Sequence, residues 1–155
     1  MQSFVKFVYL TTLVVWIGGI VCFSFLVAPA LFGALPSTAA GDAVGAIFPR
    51  YYAAGYVCGI VLLAVCALLY REAGAQRWWK VNVALFTVML LATLYAGLVI
   101  LPRTVALRPE IRAAEASPET RAEFGRLHGL AVGLNILVLV CGLGAVGLSA
   151  GRLRW

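Results

Sequence analysis

The sequence predicts an all-α integral membrane four-helix bundle, with a helical extramembrane extension between its third and fourth helices. Three observations predict it. Apolar residues make up 63% of the chain and charged residues 12%, against roughly 45–50% and 25% in soluble domains. The mean hydropathy is +1.00. Four apolar runs, about Phe4–Ala28, Tyr51–Tyr70, Val81–Leu101 and Phe124–Ser149, each reach the ~20 residues that a spanning helix needs. At 155 residues the whole chain, 1–155, reads as one membrane domain. A soluble fold this apolar would lack the polar surface to cover its core.

The first helix begins near Ser3 or Phe4, with Lys6 able to snorkel to the interface. No short apolar core with an A-x-A-type site follows the N-terminus, so the run reads as a retained span. Trp16, Gly18 and Gly19 place small residues mid-span, where a neighbouring helix can approach closely. Pro29 is expected to end this span. In the link that follows, Ser37 is a good N-cap for a short helix over Thr38–Phe48, with Ala39, Ala43, Ala46 and Ile47 as its apolar positions. Pro49 is expected to kink the chain into the second span by removing the bond to the Gly45 carbonyl. Arg50, Tyr51 and Tyr52 then fall at the membrane boundary.

The polar stretch Arg71–Lys80 is short, so the second and third spans should form an antiparallel hairpin. Trp78 and Trp79 mark the interface before the third span, and Pro102 is expected to end it. The polar linker 102–123 alternates arginines and glutamates, as a solvated helix does. Ser117–Pro118–Glu119 combines an N-cap, a proline at the first helical position and an acid at the positive helix end. One helix from there to Ser149 would be roughly 48 Å long, beyond the ~30 Å hydrocarbon core, so its first turns project.

Four spans put both termini on one side. Lys6, Arg71, Arg77, Lys80, Arg152 and Arg154 share that side with Glu72 as its acid. Arg50, Arg103, Arg108, Arg112, Arg121 and Arg126 lie opposite, offset by Asp42 and four glutamates. The Lys/Arg counts tie. The uncompensated 71–80 stretch and the basic tail favour cytoplasmic termini, in a bacterial inner membrane. The net charge of +6 then reflects topology and anionic headgroups. With no aromatic–basic sheet pattern and no zinc spacing, nucleic acid is not an expected partner.

The polar residues inside the apolar runs carry the functional reading. His128, the sole histidine, and Asn135 stand seven residues apart, close to two helical turns, so they share one stripe of the fourth helix. Unpaired polar groups in hydrocarbon are costly, so such a stripe needs a reason. Arg50, Tyr51, Arg103 and Arg126 fall near the same membrane level, with Tyr95 about two turns inward of the end of the third span. Together they outline a polar vestibule tapering to Asn135, a cationic mouth for an anion, a lipid headgroup or a haem propionate. The bland alternative is interfacial anchoring, with Asn135 bonded to a neighbouring helix.

A lone histidine excludes bis-histidine haem within one chain. His128 with Met89 remains a formal His/Met pair, although the two fall at different depths. Cys22 and Cys58 fall in one half of the membrane, Cys66 and Cys141 in the other. They read as soft-metal candidates or as small apolar packing residues. None forms a C-x-x-C, and none signals a disulfide framework. No nucleophile–base set, phosphate loop or intramembrane carboxylate occurs. An enzyme or a carboxylate-driven pump is therefore not expected.

Short motifs carry a resemblance. They are W-x-G at Trp16–Gly18, AP-x-LF at Ala28–Phe32, FP-x-Y at Phe48–Tyr51 and F-x-x-LH with a later Asn at Phe124–Asn135. On these the chain resembles the transmembrane protein 205-like family, whose biochemical function is unassigned. The resemblance implies a four-helix bundle in a membrane and no reaction. The family pattern is expected to hold a serine between His and Asn, where this chain has Ala131. A smaller similarity, through the WIGG stretch Trp16–Gly19, is to the membrane domain of copper-resistance proteins of the CopD type.

The expected function is binding or passage of a small solute or ion through the vestibule, without catalysis. Two other classes stay open. One is an accessory subunit of a larger membrane complex or a homo-oligomer, which Gly129, Gly133, Gly142, Gly144 and Gly147 would favour by permitting close helix contacts. The other is a haem or metal protein.

Overall fold

The computed structural model describes residues 2–73, 77–113 and 116–150. The basic tail with Arg152 and Arg154 lies outside them. Every element among the described residues is helical. They are α1 (Gln2–Cys22), α2 (Ala28–Ala34), α3 (Ser37–Ala73), α4 (Arg77–Tyr95), α5 (Leu101–Arg112) and α6 (Pro118–Ala150), with single π-turns at Phe23–Val27 and Ala96–Ile100. Four helical units are long and apolar enough to cross a membrane: Ser3–Ala34, Ser37–Leu69, Trp78–Arg112 and Pro118–Ala150. The chain has the build of an integral membrane four-helix bundle.

The four helices pack as a ring. α1 lies against α3 and α6, and α4 lies against the same two, so α1 and α4 face each other across the diagonal. Tyr9, Leu13, Leu62, Cys66, Phe86 and Met89 fill the interior at 0–1% exposure. α3 has 37 residues and runs roughly 56 Å at about 1.5 Å per residue, well beyond the ~30 Å core.

The prolines correct the expected span ends. The helix runs on past Pro29 into α2 and past Pro102 into α5. Each proline follows a π-turn that begins six residues before it. A proline has no N–H, and its ring clashes with the carbonyl four residues back. Those carbonyls belong to Phe25 and Leu98, both inside the π-turns. The wider turn lets the Ala28 N–H reach the Phe23 carbonyl and the Leu101 N–H reach the Ala96 carbonyl. The ring is accommodated and the helix does not stop. α3 likewise continues unbroken from Ser37 through Pro49. Its buried positions before that proline are Ala40 and Val44, one residue along from the expected apolar set.

Beyond the bundle, α5 and the start of α6 form the extension. Ser117 Oγ accepts the Thr120 N–H at 3.1 Å, a regular N-cap. The Thr120 hydroxyl donates to Glu110, and Arg112 pairs with Asp42 of α3. The Arg108 guanidinium lies in the space that a side chain at Gly45 would take. Trp78 and Trp79 turn inward, at 6% and 2% exposure, with stacked rings 3.7 Å apart.

Close packing rests on Gly55 and Gly59, four residues apart on α3. A Cβ at Gly59 would stand 2.8 Å from Leu90 Cδ1 and 3.1 Å from Trp16 Cη2. On α6, Gly142 meets Ile17 and Met89, whereas Gly129, Gly133 and Gly147 have nothing within 4 Å. Gly59→Leu is therefore expected to cost about 1–3 kcal/mol by overpacking. Gly133→Leu, on the open face, is expected to leave the melting temperature unchanged. Thermal unfolding of both variants in one detergent checks the pair.

Candidate functional site

The π-turns and the glycines of α3 leave a cavity between all four long helices. Its volume is about 60 Å³, room for roughly two to four waters at ~15–30 Å³ each. Trp16 of α1, Tyr51 and Gly55 of α3, Thr93 of α4, and Ala131 and Asn135 of α6 are among the residues that line it. No lining residue is charged. Phe23, Phe48, Tyr51 and Tyr52 form an aromatic cluster beside it, with Phe48 stacked on Tyr52 at 5.8 Å and Phe23 5.1 Å from Tyr51.

One hydrogen-bond relay crosses the cavity wall. The Tyr51 hydroxyl donates to Asn135 Oδ1 at 2.6 Å. Asn135 Nδ2 donates to Ser24 Oγ at 3.0 Å, and Ser24 lies in the first π-turn. Asn135 keeps one N–H to offer. Across from it, the Thr93 hydroxyl donates to the Met89 carbonyl at 2.8 Å and keeps its acceptor face. The Trp16 indole is 5% exposed. Its Nε1 lies 3.2 Å from where a Cβ at Gly55 would stand, and among the described residues it has no hydrogen-bond partner. The wall thus offers spare donors and no charge.

A second polar cluster lies at the other end of the bundle. The Tyr9 hydroxyl shares a 2.8 Å hydrogen bond with Ser149 Oγ and reaches Asn82 Oδ1 at 3.4 Å. Asn82 Nδ2 donates to the Trp78 carbonyl, and Ser149 to the Ala145 carbonyl. Trp79 Nε1 is sealed there without a partner. Between the clusters lie Leu13, Leu62, Phe86 and Met89 at 0–1% exposure.

Of the residues singled out from sequence, the structure brings Tyr51 and Asn135 together. It does not bring Arg50, Arg103, Arg126, His128 or Tyr95 to the cavity; all five are exposed. Arg50 turns back to the Ala46 carbonyl at 3.3 Å. The physical reason is solvation, since each guanidinium is far better hydrated at the helix ends than in an apolar interior. His128 follows the buried Leu127 on α6 and faces outward. The Met89 methyl packs at Gly142, fourteen residues along α6 from His128, or roughly 21 Å. A His128–Met89 ligand pair is therefore out of reach. Cys22 is exposed, Cys58 and Cys66 are buried and Cys141 is half-buried. Among the described residues no cluster of three or more His, Cys, Asp or Glu is placed to hold a metal.

Sequence reading missed Ser24, Trp16 and Thr93 at the cavity, and Tyr9, Asn82 and Ser149 at the far cluster. Asn82 was legible as an amide inside an apolar run. Ser24 and Ser149 carried no signal, because a serine in a helix satisfies itself on the preceding turn.

Fold and cavity together define a class, the small helical membrane bundle with an uncharged, largely apolar pocket that carries a few polar groups. Residues 11–113 match DUF4149, a domain of unknown function, and the chain belongs to that family. It is also similar to an uncharacterized protein of Aquifex aeolicus (strain VF5), 31% identical over 125 residues that cover 80% of each chain. No solved structure matches.

The Tyr51–Asn135 bond makes a measurable coupling. Tyr51→Phe is expected to destabilise by about 1–2 kcal/mol by leaving Asn135 Oδ1 short of a donor. In a double-mutant cycle with Asn135→Leu, the two changes are expected to be non-additive by about 1 kcal/mol. Additivity in detergent melting curves would show that the two side chains do not meet.

Proposed function

We propose that this protein is a non-enzymatic membrane protein that binds a small, uncharged solute in the cavity between its helices. The ligand presents an acceptor oxygen to the spare N–H groups of Trp16 and Asn135. The observation that carries this reading is the unpartnered Trp16 indole N–H beside a lining without charge. An ion would meet no countercharge there, and desolvating it would be costly. A neutral carbonyl or hydroxyl would satisfy those donors. The arginine rim then serves as interfacial anchoring. The dry layer of Leu13, Leu62, Phe86 and Met89 favours binding over passage through a single bundle.

Three further parts of the reading are ours. The protein sits in a bacterial inner membrane with cytoplasmic termini, on the basic balance of the 71–80 stretch and the tail. It is kin to the transmembrane protein 205-like family. Trp16, Phe48, Tyr51 and Asn135, which carry that resemblance, gather at or beside the cavity. A transport role needs a larger assembly, and α6 offers the open glycine face for one.

The test is titration of acetamide into ¹⁵N-labelled protein in detergent micelles, read at the indole N–H resonances. The Trp16 signal, assigned with Trp16→Phe, is expected to shift saturably while that of the sealed Trp79 stays still. Ala131→Leu, which fills the cavity, should abolish the shift, and acetate should produce none. An acetamide shift that survives Ala131→Leu, or one shared by all indoles, would overturn the reading.

A further inference from the structure

The two π-turns stand 73 residues apart, and so do the prolines that follow them, Pro29 and Pro102. The same offset superposes the buried stripe of α1 on that of α4. Tyr9, Leu13, Trp16 and Ile20 correspond to Asn82, Phe86, Met89 and Thr93, and all eight are buried. After the prolines the offset becomes 80. Cys58, Leu62, Val65 and Leu69 of α3 then correspond to Val138, Gly142, Ala145 and Ser149 of α6, and again all eight are buried. The added seven residues lie between Pro102 and α6, where α5 has 12 residues against the seven of α2.

A shared stripe alone would be weak, because any helix buried along one face repeats about every seven residues. A proline does not by itself impose a π-turn, since Pro49 and Pro109 sit inside α-helix without one, and π-helix accounts for well under ~1% of residues. Its occurrence at the same register in the first and third spans needs a common cause. The packing agrees. A two-fold rotation about the bundle axis exchanges α1 with α4 and α3 with α6, and returns the same ring of neighbours.

We infer that the chain is a tandem repeat of one helical hairpin about a quasi-two-fold axis, and that the cavity is the axial site where the two copies have diverged. The polar residues of the relay and their mates make the divergence explicit. Ser24 corresponds to Gly97, Tyr51 to Ala131 and Asn135 to Gly55. One set supplies hydrogen bonds and the other supplies room. Trp16 Nε1 occupies the space above Gly55, and the rings of Tyr52 and Tyr56 crowd Gly97. Six such mate pairs provide twelve of the sixteen residues that line the cavity, so the cavity lies on the axis. Gly55 and Ala131 are its size-determining positions: they are where the second polar set is missing.

The test is circular permutation of the full chain, with residue 155 joined to residue 1 by a Gly/Ser linker. Opening the chain within 74–76 leaves both hairpins whole. Opening it between Leu35 and Pro36 cuts the first in two. The first permutant is expected to be recovered folded, with the Trp16 indole resonance at its native position, and the second to be lost. Failure of the first, or equal recovery of the two, would overturn the repeat. A second measurement keeps the site in play. Tyr51→Ala should lower the melting temperature, and adding Ala131→Tyr, which returns the ring at the mate position, should raise it again. No recovery would show that the cavity is not axial. Neither arm uses a ligand, so the outcome stands whether or not acetamide binds.

Discussion

Inside hydrocarbon, a polar group that loses its partner has only the protein to turn to, and the rest of this structure follows from that constraint. Pro29 and Pro102 each withdraw a donor from a spanning helix. The chain answers with a π-turn rather than a break, and the helices continue into α2 and α5. The first of those turns holds Ser24 where Asn135 can reach it. Hydroxyls elsewhere turn back on the preceding turn, as Thr12, Thr87 and Thr93 do. The polar cavity is thus tied to the way the backbone stays satisfied around its prolines.

The sequence showed the architecture through quantities that do not depend on tertiary contact. Run length located four spans, and the short 71–80 stretch paired two of them. The Ser117 cap, read from three residues, is present with its Thr120 N–H bond. What was not legible came from competing local rules. A proline reads as a stop because in water an unpaired carbonyl has other partners. In a span, the adjacent turn rearranges instead. Arg50 and Arg126 were grouped with Asn135 by membrane level, yet level does not fix which way a side chain turns around its helix. Asn135, bonded to Tyr51 of α3, is the part of the stripe that a low-dielectric interior retains.

The arrangement also separates two tasks usually merged in a small bundle. The far cluster of Tyr9, Asn82 and Ser149 is buried and hydrogen-bonded, beside the sealed, unpartnered Nε1 of Trp79. Its hydrogen bonds join α1, α4 and α6. The cavity is the reverse, with donors left over and space beside them. Family membership supplies no activity, so the proposed binding rests on the chemistry of the pocket wall.

The π-turns have one more consequence. A π-turn carries one residue more than the α-helical turn it replaces, which shifts everything beyond it by about 100° around the axis. Each of the two spans therefore reads its sequence in two phases. One phase aims side chains into the bundle, and the other sets the direction of α2 and α5 beyond the prolines. Loss of a single residue within Phe23–Val27 would leave the bundle in register and swing α2 onto a different face. The length of those two five-residue turns, more than the identity of most residues in them, holds the two layers of the molecule in alignment.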